Sequence, residues 1–421
     1  NPFRPFGPKV CHCRPSPPLF AQAAAELDDP RLPPWPEWIA NDQTFWADCL
    51  REARDGPKVL IANNVPGFYN STNLETLLAA ALTVRGADVH VLLCDKVLPA
   101  CLKIKFASHG PEQLIAEEFR KTVCGQCTRL GGAFAQLGIP VHGYEEQLSP
   151  REREELRGLA RSVPVDEIPS FRYHDLNVGE HAYAGCLRYY STGNLALQDR
   201  TEDVLRVYLE AALLTTLTME KLVERYRFET SCFHHGIYIP QGIVGEVCRA
   251  RGVRVTTWNT AYRQGCFIFS HGDTYHHTLL EEPVSAWQDM RYTDAHDRAI
   301  QDYLTSRWLG SQDWIYFHDS PDDKVDTLIR ETGIDVDRPI IGMLTNVMWD
   351  AQLHYRANAF SNMLEWLIET IHYFAGRPDL QLLIRVHPAE LRGLQKSRQF
   401  VMDEVNKAVL EIPRNVFLIP P

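Results

Sequence analysis

The chain has 421 residues, 45% of them hydrophobic and 23% charged, which is enough for two hydrophobic cores and usual for a folded protein. Its formal net charge of −11, with no recurring lysine- or arginine-rich face, excludes a broad nucleic-acid footprint but allows a local basic pocket. No apolar run reaches the roughly 18 residues of a membrane-spanning helix and no signal-peptide pattern opens the chain, so the expected location is the cytoplasm, with peripheral membrane association through a biosynthetic complex left open.

Eleven cysteines without a secretory signal point to free thiols or a metal site rather than a disulfide framework. The chain starts at Asn1 and stops directly after an apolar stretch, Val416-Phe417-Leu418-Ile419, so at least one end is expected not to be the natural one.

Residues 1–56 are rich in proline and aromatic residues and read as an arm with one helix around 42–54. Lys58-Val59-Leu60-Ile61-Ala62 reads as a buried strand, 63–73 as a loop, 74–85 as a helix and 88–93 as the next strand. That order is a parallel βαβ opening of the doubly wound kind. A helix near 133–137, a strand from Gly138-Ile139-Pro140-Val141, and charged amphipathic helices at 151–163 and 201–225 follow. Cys232-Phe233 then opens into His234-His235-Gly236, with a helix at 241–251 and a strand at 253–258. Residues 57–319 are thus expected to form a Rossmann-like domain with helical insertions.

A helix at 294–309, a crossover at 314–319 and a helix at 324–331 lead to a new first strand at 338–344. A helix at 360–374, strand at 382–386, helix at 393–409 and strand at 416–419 complete residues 320–421 as a second doubly wound domain, incomplete at three strands. The expected fold class is α/β, with two tandem Rossmann-like domains whose sheet edges face each other across a cleft.

In the second domain the polar residues gather after the strands: Thr345, Asn346, Trp349 and Asp350, with His354 and Arg356 further on, and then Arg385, His387 and Glu390. Arg385-Val386-His387-Pro388 ends its strand on cationic and imidazole groups, because the proline holds His387 extended and stops the ladder. The carboxyl edge of an open α/β sheet is where ligands bind, and arginine grips phosphate oxygens through paired N–H groups.

Gly342-Met343-Leu344-Thr345-Asn346, the following helix and Arg385-Val386-His387-Pro388 resemble the donor domain of bacterial capsule polysaccharide glycosyltransferases of the GT-B architecture. By that resemblance His387 and Pro388 contact the nucleotide phosphate of a sugar donor, with Arg385 beside them. The motif likeness spans roughly the last 90 residues and the rest only by layout. Such a domain continues into strands bearing Ser and Glu-Ala motifs, which this sequence does not contain after Val416-Phe417-Leu418-Ile419.

An inverting transfer needs a base on the first domain, and His234 and His235 at a strand end are the leading candidates, ahead of His174, Asp175 and Glu180. No G-x-G-x-x-G follows Ala62, which counts against a dehydrogenase. The loop 63–73 carries two readings: an acceptor loop through Asn64, Tyr69, Asn70 and Ser71, or helix capping by Ser71, Thr72 or Asn73. Cys94, Cys101, Cys124 and Cys127 have the content of a structural zinc site or an iron–sulfur cluster, with two buried thiols and a chance C-x-x-C as the plainer reading. The cluster His271, Asp273, His276 and His277 lacks a helical histidine pair at i, i+4 and reads as a polar hairpin or cleft loop.

The expected function is transfer of a sugar from a nucleotide-sugar donor to a glycan or glycolipid acceptor, without a cofactor for catalysis. A sugar-nucleotide epimerase of the same architecture and a non-catalytic glycan- or nucleotide-binding protein are the alternatives.

Overall fold

A computed structural model describes residues 16–196, 198–317, 325–351, 353, 358–393 and 395–421. The chain opens with helices α1 (Pro18–Glu26), α2 (Trp35–Asn41) and α3 (Gln43–Glu52), followed by β1 (Lys58–Ile61), α4 (Tyr69–Val84) and β2 (Asp88–Leu92). Next come α5 (Pro111–Ile115), α6 (Val123–Gln136), β3 (Val141–His142), α7 (Pro150–Ser162), α8 (Val178–Tyr190) and α9 (Thr201–Tyr226). Then β4 (Thr230–His234), α10 (Gln241–Ala250), β5 (Arg254–Thr260), β6 (Phe267–His271), α11 (Tyr275–Glu281), α12 (Ser285–Gln288) and α13 (Asp294–Leu309) lead out of the first sheet. The last part holds α14 (Val325–Thr332), β7 (Ile340–Leu344), α15 (Met363–Ala375), β8 (Gln381–Arg385), α16 (Ala389–Arg392), α17 (Val401–Ala408) and β9 (Val416–Ile419).

Among the described residues nine strands form two sheets, of order β3-β2-β1-β4-β5-β6 and β7-β8-β9. Every pairing is parallel except β5 with β6. Side-chain alternation divides the first sheet's packing into two layers. Val59, Ile61, Val89 and Val91 face α1, α3, α4 and α6 through Phe20, Trp46, Ala79 and Phe134. Leu60 and Leu92 face the opposite layer, where α9 supplies Leu205, Tyr208, Leu209 and Leu213. In the second sheet Leu382, Ile384 and Val386 pack with Ile371 and Phe374 of α15 and Val401 and Val405 of α17. Among the described residues no helix is long and apolar enough to cross a membrane.

The arm differs from expectation, its described residues carrying three α-helices rather than one. Pro18 stands in the first turn of α1, where a proline's missing N–H costs nothing, so it starts this helix rather than breaking one. Helix α1 lies so close to α6 that a Cβ on Gly132 would come within 2.7 Å of the Ala23 carbonyl carbon. Asp29 then fastens the arm: its carboxylate accepts from Arg129 at 2.8 Å, from Tyr69 Oη at 2.8 Å and from Arg31 at 2.9 Å.

The structure also corrects three local readings. Helix α4 starts at Tyr69 with Phe68 as its N-cap and no side-chain cap. Thr72 Oγ1 instead donates to Pro66 O at 2.7 Å, because that carbonyl lies in the turn before the helix. Glu180, expected with His174 and Asp175 in a polar stretch before Tyr189-Tyr190, stands in α8, and Phe267–His271 form the antiparallel strand β6.

Candidate functional site

In the first sheet the chain runs from β1 outward to β2 and β3, and from β4 outward to β5. The crevice between the ends of β1 and β4 is therefore the topological switch point, where α/β sheets bind ligands. Asn63 and Asn64 leave β1 on one side of it, and His234 and His235 leave β4 on the other. His235 has φ +67° and Gly236 φ +81°, so two successive left-handed residues turn the chain sharply. The His235 amide still donates to Trp258 O at 2.8 Å, and its carbonyl accepts from Thr274 Oγ1 at 2.9 Å, which fixes the turn.

That turn places imidazoles side by side. The His234 ring lies 4.7 Å from Trp258, and His235 lies 5.4 Å from His276 and 5.5 Å from Tyr238. Burial pulls both His234 and His276 down to about 4, so both are neutral at pH 7. Beneath them Glu75 is wholly buried and its Oε1 accepts from Trp258 Nε1 at 2.6 Å. Burial pushes its carboxyl up to about 8, more than its hydrogen bonds pull it down.

The second sheet approaches from its own carboxyl edge. In the loop after β7, Asp350 Oδ1 accepts from Tyr238 Oη at 2.7 Å, and the Ala351 amide donates back to the same tyrosine oxygen at 2.9 Å. The Arg188 guanidinium, from α8, lies 3.7 Å from Asp350, 4.8 Å from the Tyr238 ring centroid and 5.3 Å from that of Trp349. Its Nε is buried and has no hydrogen-bond partner among the described residues. Lys105 stands near enough to Arg188 and Lys103 that, after burial, their like charges lower its pKa. A basic wall thus exists inside an acidic protein.

His387 completes the cleft. Its amide donates to Thr345 Oγ1 at 3.0 Å, and its Nδ1 accepts from the Ala389 amide at 3.0 Å. Nδ1 is therefore the acceptor nitrogen, and the neutral ring carries its proton on Nε2. Burial lowers its pKa, with Asp350 opposing and Arg385 reinforcing. The two edges are joined further by α8's end: Arg398 N donates to Ser191 O at 2.9 Å, and Gly193 N to Gln399 Oε1 at 2.8 Å.

Other expected site residues are engaged elsewhere. Arg385 donates to Pro420 O, Glu390 Oε1 accepts from Val401 N at 2.9 Å at the start of α17, and Asn346 Oδ1 accepts from Val347 N at 2.8 Å. Pro388 caps the short helix α16. Of the expected acceptor loop, Asn64 accepts from the buried Tyr144 hydroxyl at 2.7 Å, Tyr69 joins the Asp29 cluster, Ser71 is buried near Glu75, and Asn70 is exposed. His174 pairs with Glu220 at 2.9 Å, with Asp175 exposed beside it, and His354 and Arg356 lie outside the described residues. The thiols of Cys94, Cys101, Cys124 and Cys127 are all pushed up, chiefly by burial, and the electrostatic influence among them makes them neighbours. Among the described residues no three His, Cys, Asp or Glu side chains are grouped to hold a metal ion.

Arg188 and Tyr238 were not singled out by the sequence, and His276 was set aside with its polar cluster. Arg188 sits on a helix that the sequence hid, so only tertiary docking discloses it. No family model matches this chain, and no curated protein matches it either.

Proposed function

We propose that the chain is a glycosyltransferase of the two-domain GT-B architecture, moving a sugar from a nucleotide-sugar donor to a glycan hydroxyl in surface or capsular polysaccharide synthesis. In this reading residues 57–319 form the acceptor domain and 320–421 the donor domain, acting in the cytoplasm at the inner face of the membrane. The observation that carries it is the meeting of two parallel-sheet carboxyl edges at the Tyr238 to Asp350 hydrogen bond, with Arg188 and His387 beside it.

The acceptor oxygen bonds to the anomeric carbon as the bond from that carbon to the donor phosphate breaks. The electron pair leaves with the nucleotide phosphate, and the hydroxyl proton passes to an imidazole of the first sheet. His387 Nε2–H and the Arg188 guanidinium supply donors to the leaving phosphate, where charge develops. His234 at about 4 is a poor base at neutral pH, and His235 stands beside it at the same turn. Zinc or an iron–sulfur cluster at the four cysteines is a separate proposal, supported if elemental analysis of the purified protein finds a stoichiometric metal.

Calorimetric titration with CMP, CDP, UDP and GDP tests the reading. One nucleotide is expected to bind, and His387→Ala, with an unchanged circular dichroism spectrum, to weaken it about tenfold or more, the worth of a hydrogen bond to a charged group. Arg385→Ala, already turned to Pro420 O, is expected to weaken it less. No binding across the panel by the folded wild type overturns the reading.

A further inference from the structure

Beside the cleft lies a second cavity of about 270 Å³, walled by α8, α10, α11 and the turn after β4, and touched by Leu353 from the loop after β7. It is smaller than the roughly 300–1,000 Å³ of pockets that enclose drug-sized ligands, so it suits one small ring rather than a nucleotide. Six of its eleven lining residues are ionisable: Glu180, His181, Glu246, Arg249, Asp273 and His277.

The charges are arranged in an unusual way. Arg249 divides its guanidinium between Asp273 at 3.0 Å and Glu246 at 2.7 Å, and His277 Nδ1 pairs with Asp273 Oδ2 at 2.8 Å. The one guanidinium of this cavity is therefore committed to the protein's own carboxylates, one of which also pairs with an imidazole, so a ligand anion meets acidic groups first. His181 is 5% exposed and lies 3.8 Å from Glu246, in space that only Gly242 leaves open, since a Cβ there would collide with the ring. Burial opposes ionisation of Glu246 and Asp273, but His181 and Arg249 for the first, and His277 and Arg249 for the second, outweigh it and hold both charged. Ionised carboxylates held rigidly by internal cations have lone pairs directed at donors. Hydroxyl groups are the uncharged donors that satisfy several such acceptors on one ring.

We propose that this cavity binds one neutral, hydroxyl-rich sugar ring and rejects acidic sugars. The binding claim stands by itself; that the ring belongs to the acceptor rests on the transferase reading above, through Gly236 and Thr274, which the cavity shares with the His235 turn.

The test is a titration of the whole protein with the methyl glycosides of glucose, galactose and N-acetylglucosamine, and with methyl glucuronide, reading the imidazole resonances of His181 and His277. A few hydrogen bonds to one ring imply affinities in the millimolar range. The expected result is saturable movement of both resonances with at least one neutral glycoside, none with the glucuronide, and about tenfold weaker binding in Asp273→Asn and in Glu180→Gln. Glu180→Gln keeps the test sound should Asp273→Asn unfold. Equal response to the glucuronide, or no response to any neutral glycoside, overturns the proposal. A nucleotide titration read at His387 is independent: nucleotide without glycoside binding sinks only the cavity, glycoside without nucleotide binding sinks only the transferase reading.

Discussion

The two first strands of the two sheets, β1 and β7, make the sharpest contrast in the molecule. Both are unbroken apolar runs, Val59-Leu60-Ile61 and Ile340-Ile341-Gly342-Met343-Leu344. Strand β1 lies between β2 and β4 and is covered on both faces, whereas among the described residues β7 pairs only with β8, and Ile340, Ile341 and Leu344 remain 40%, 39% and 77% exposed. An apolar strand reports what it is suited to pack against, and the number of its neighbours decides how much of that packing exists. The same contrast runs through the cleft. The first edge supplies imidazoles seated in a full core, and the second supplies a loop fastened by a few hydrogen bonds.

Substitutions can break or sharpen this contrast. Leu60→Ala removes a side chain with no exposed surface between two packed layers, and is expected to cost about 3–5 kcal/mol in urea unfolding. A cost under about 1 kcal/mol would mean that the first core is far looser than its burial implies.

Glu75→Gln tests the depth of that core through pH. The folded carboxyl titrates at about 8 against an ordinary 4.5, so the folded state keeps a proton that the unfolded chain releases. Its contribution to stability is complete below 4.5 and declines as pH rises through 8, by roughly 1.4 kcal/mol per pH unit between them. Urea midpoints of the glutamine variant should therefore gain on the wild type across that range and run level beyond it. Parallel profiles would show that the carboxyl is hydrated in the folded protein.

At the junction of the edges, Tyr238→Phe leaves Asp350 and the Ala351 amide without their shared partner, for an expected loss of about 1–3 kcal/mol. Limited proteolysis in the loop after β7 should speed up in this variant while protection of the first sheet stays constant; no change at that loop would mean the contact does not hold the edges together. The smallest effect is expected for Leu344→Ala, under about 1 kcal/mol, because that residue is already 77% exposed. A cost matching that of Leu60→Ala would show that β7 is covered in solution.

The sequence disclosed most of the strands and the long helix, because Thr201–Tyr226 repeats its apolar stripe over many turns and Lys58–Ile61 is bounded by Gly56-Pro57 and the polar Asn63. Helix α8 escaped because Asn177 and Glu180 open it among loop-like polar residues, and Gly, Ala, Cys and His interrupt the apolar residues of its buried face, leaving no leucine stripe. Strand β6 escaped because alternate residues Phe267 and Phe269 lie exposed, so the usual period inverts. For the site, His234, His235 and His387 were legible from glycine and proline just beyond a strand. Arg188 and His276 arrive from two helices, α8 and α11, far off in sequence, and no local pattern marks such convergence.

The Tyr238 hydroxyl gives to Asp350 and receives from Ala351 through one oxygen atom. A rotation that carries that oxygen away severs both bonds in the same instant, while the bonds from Arg398 to Ser191 and from Gly193 to Gln399 still tie the two edges.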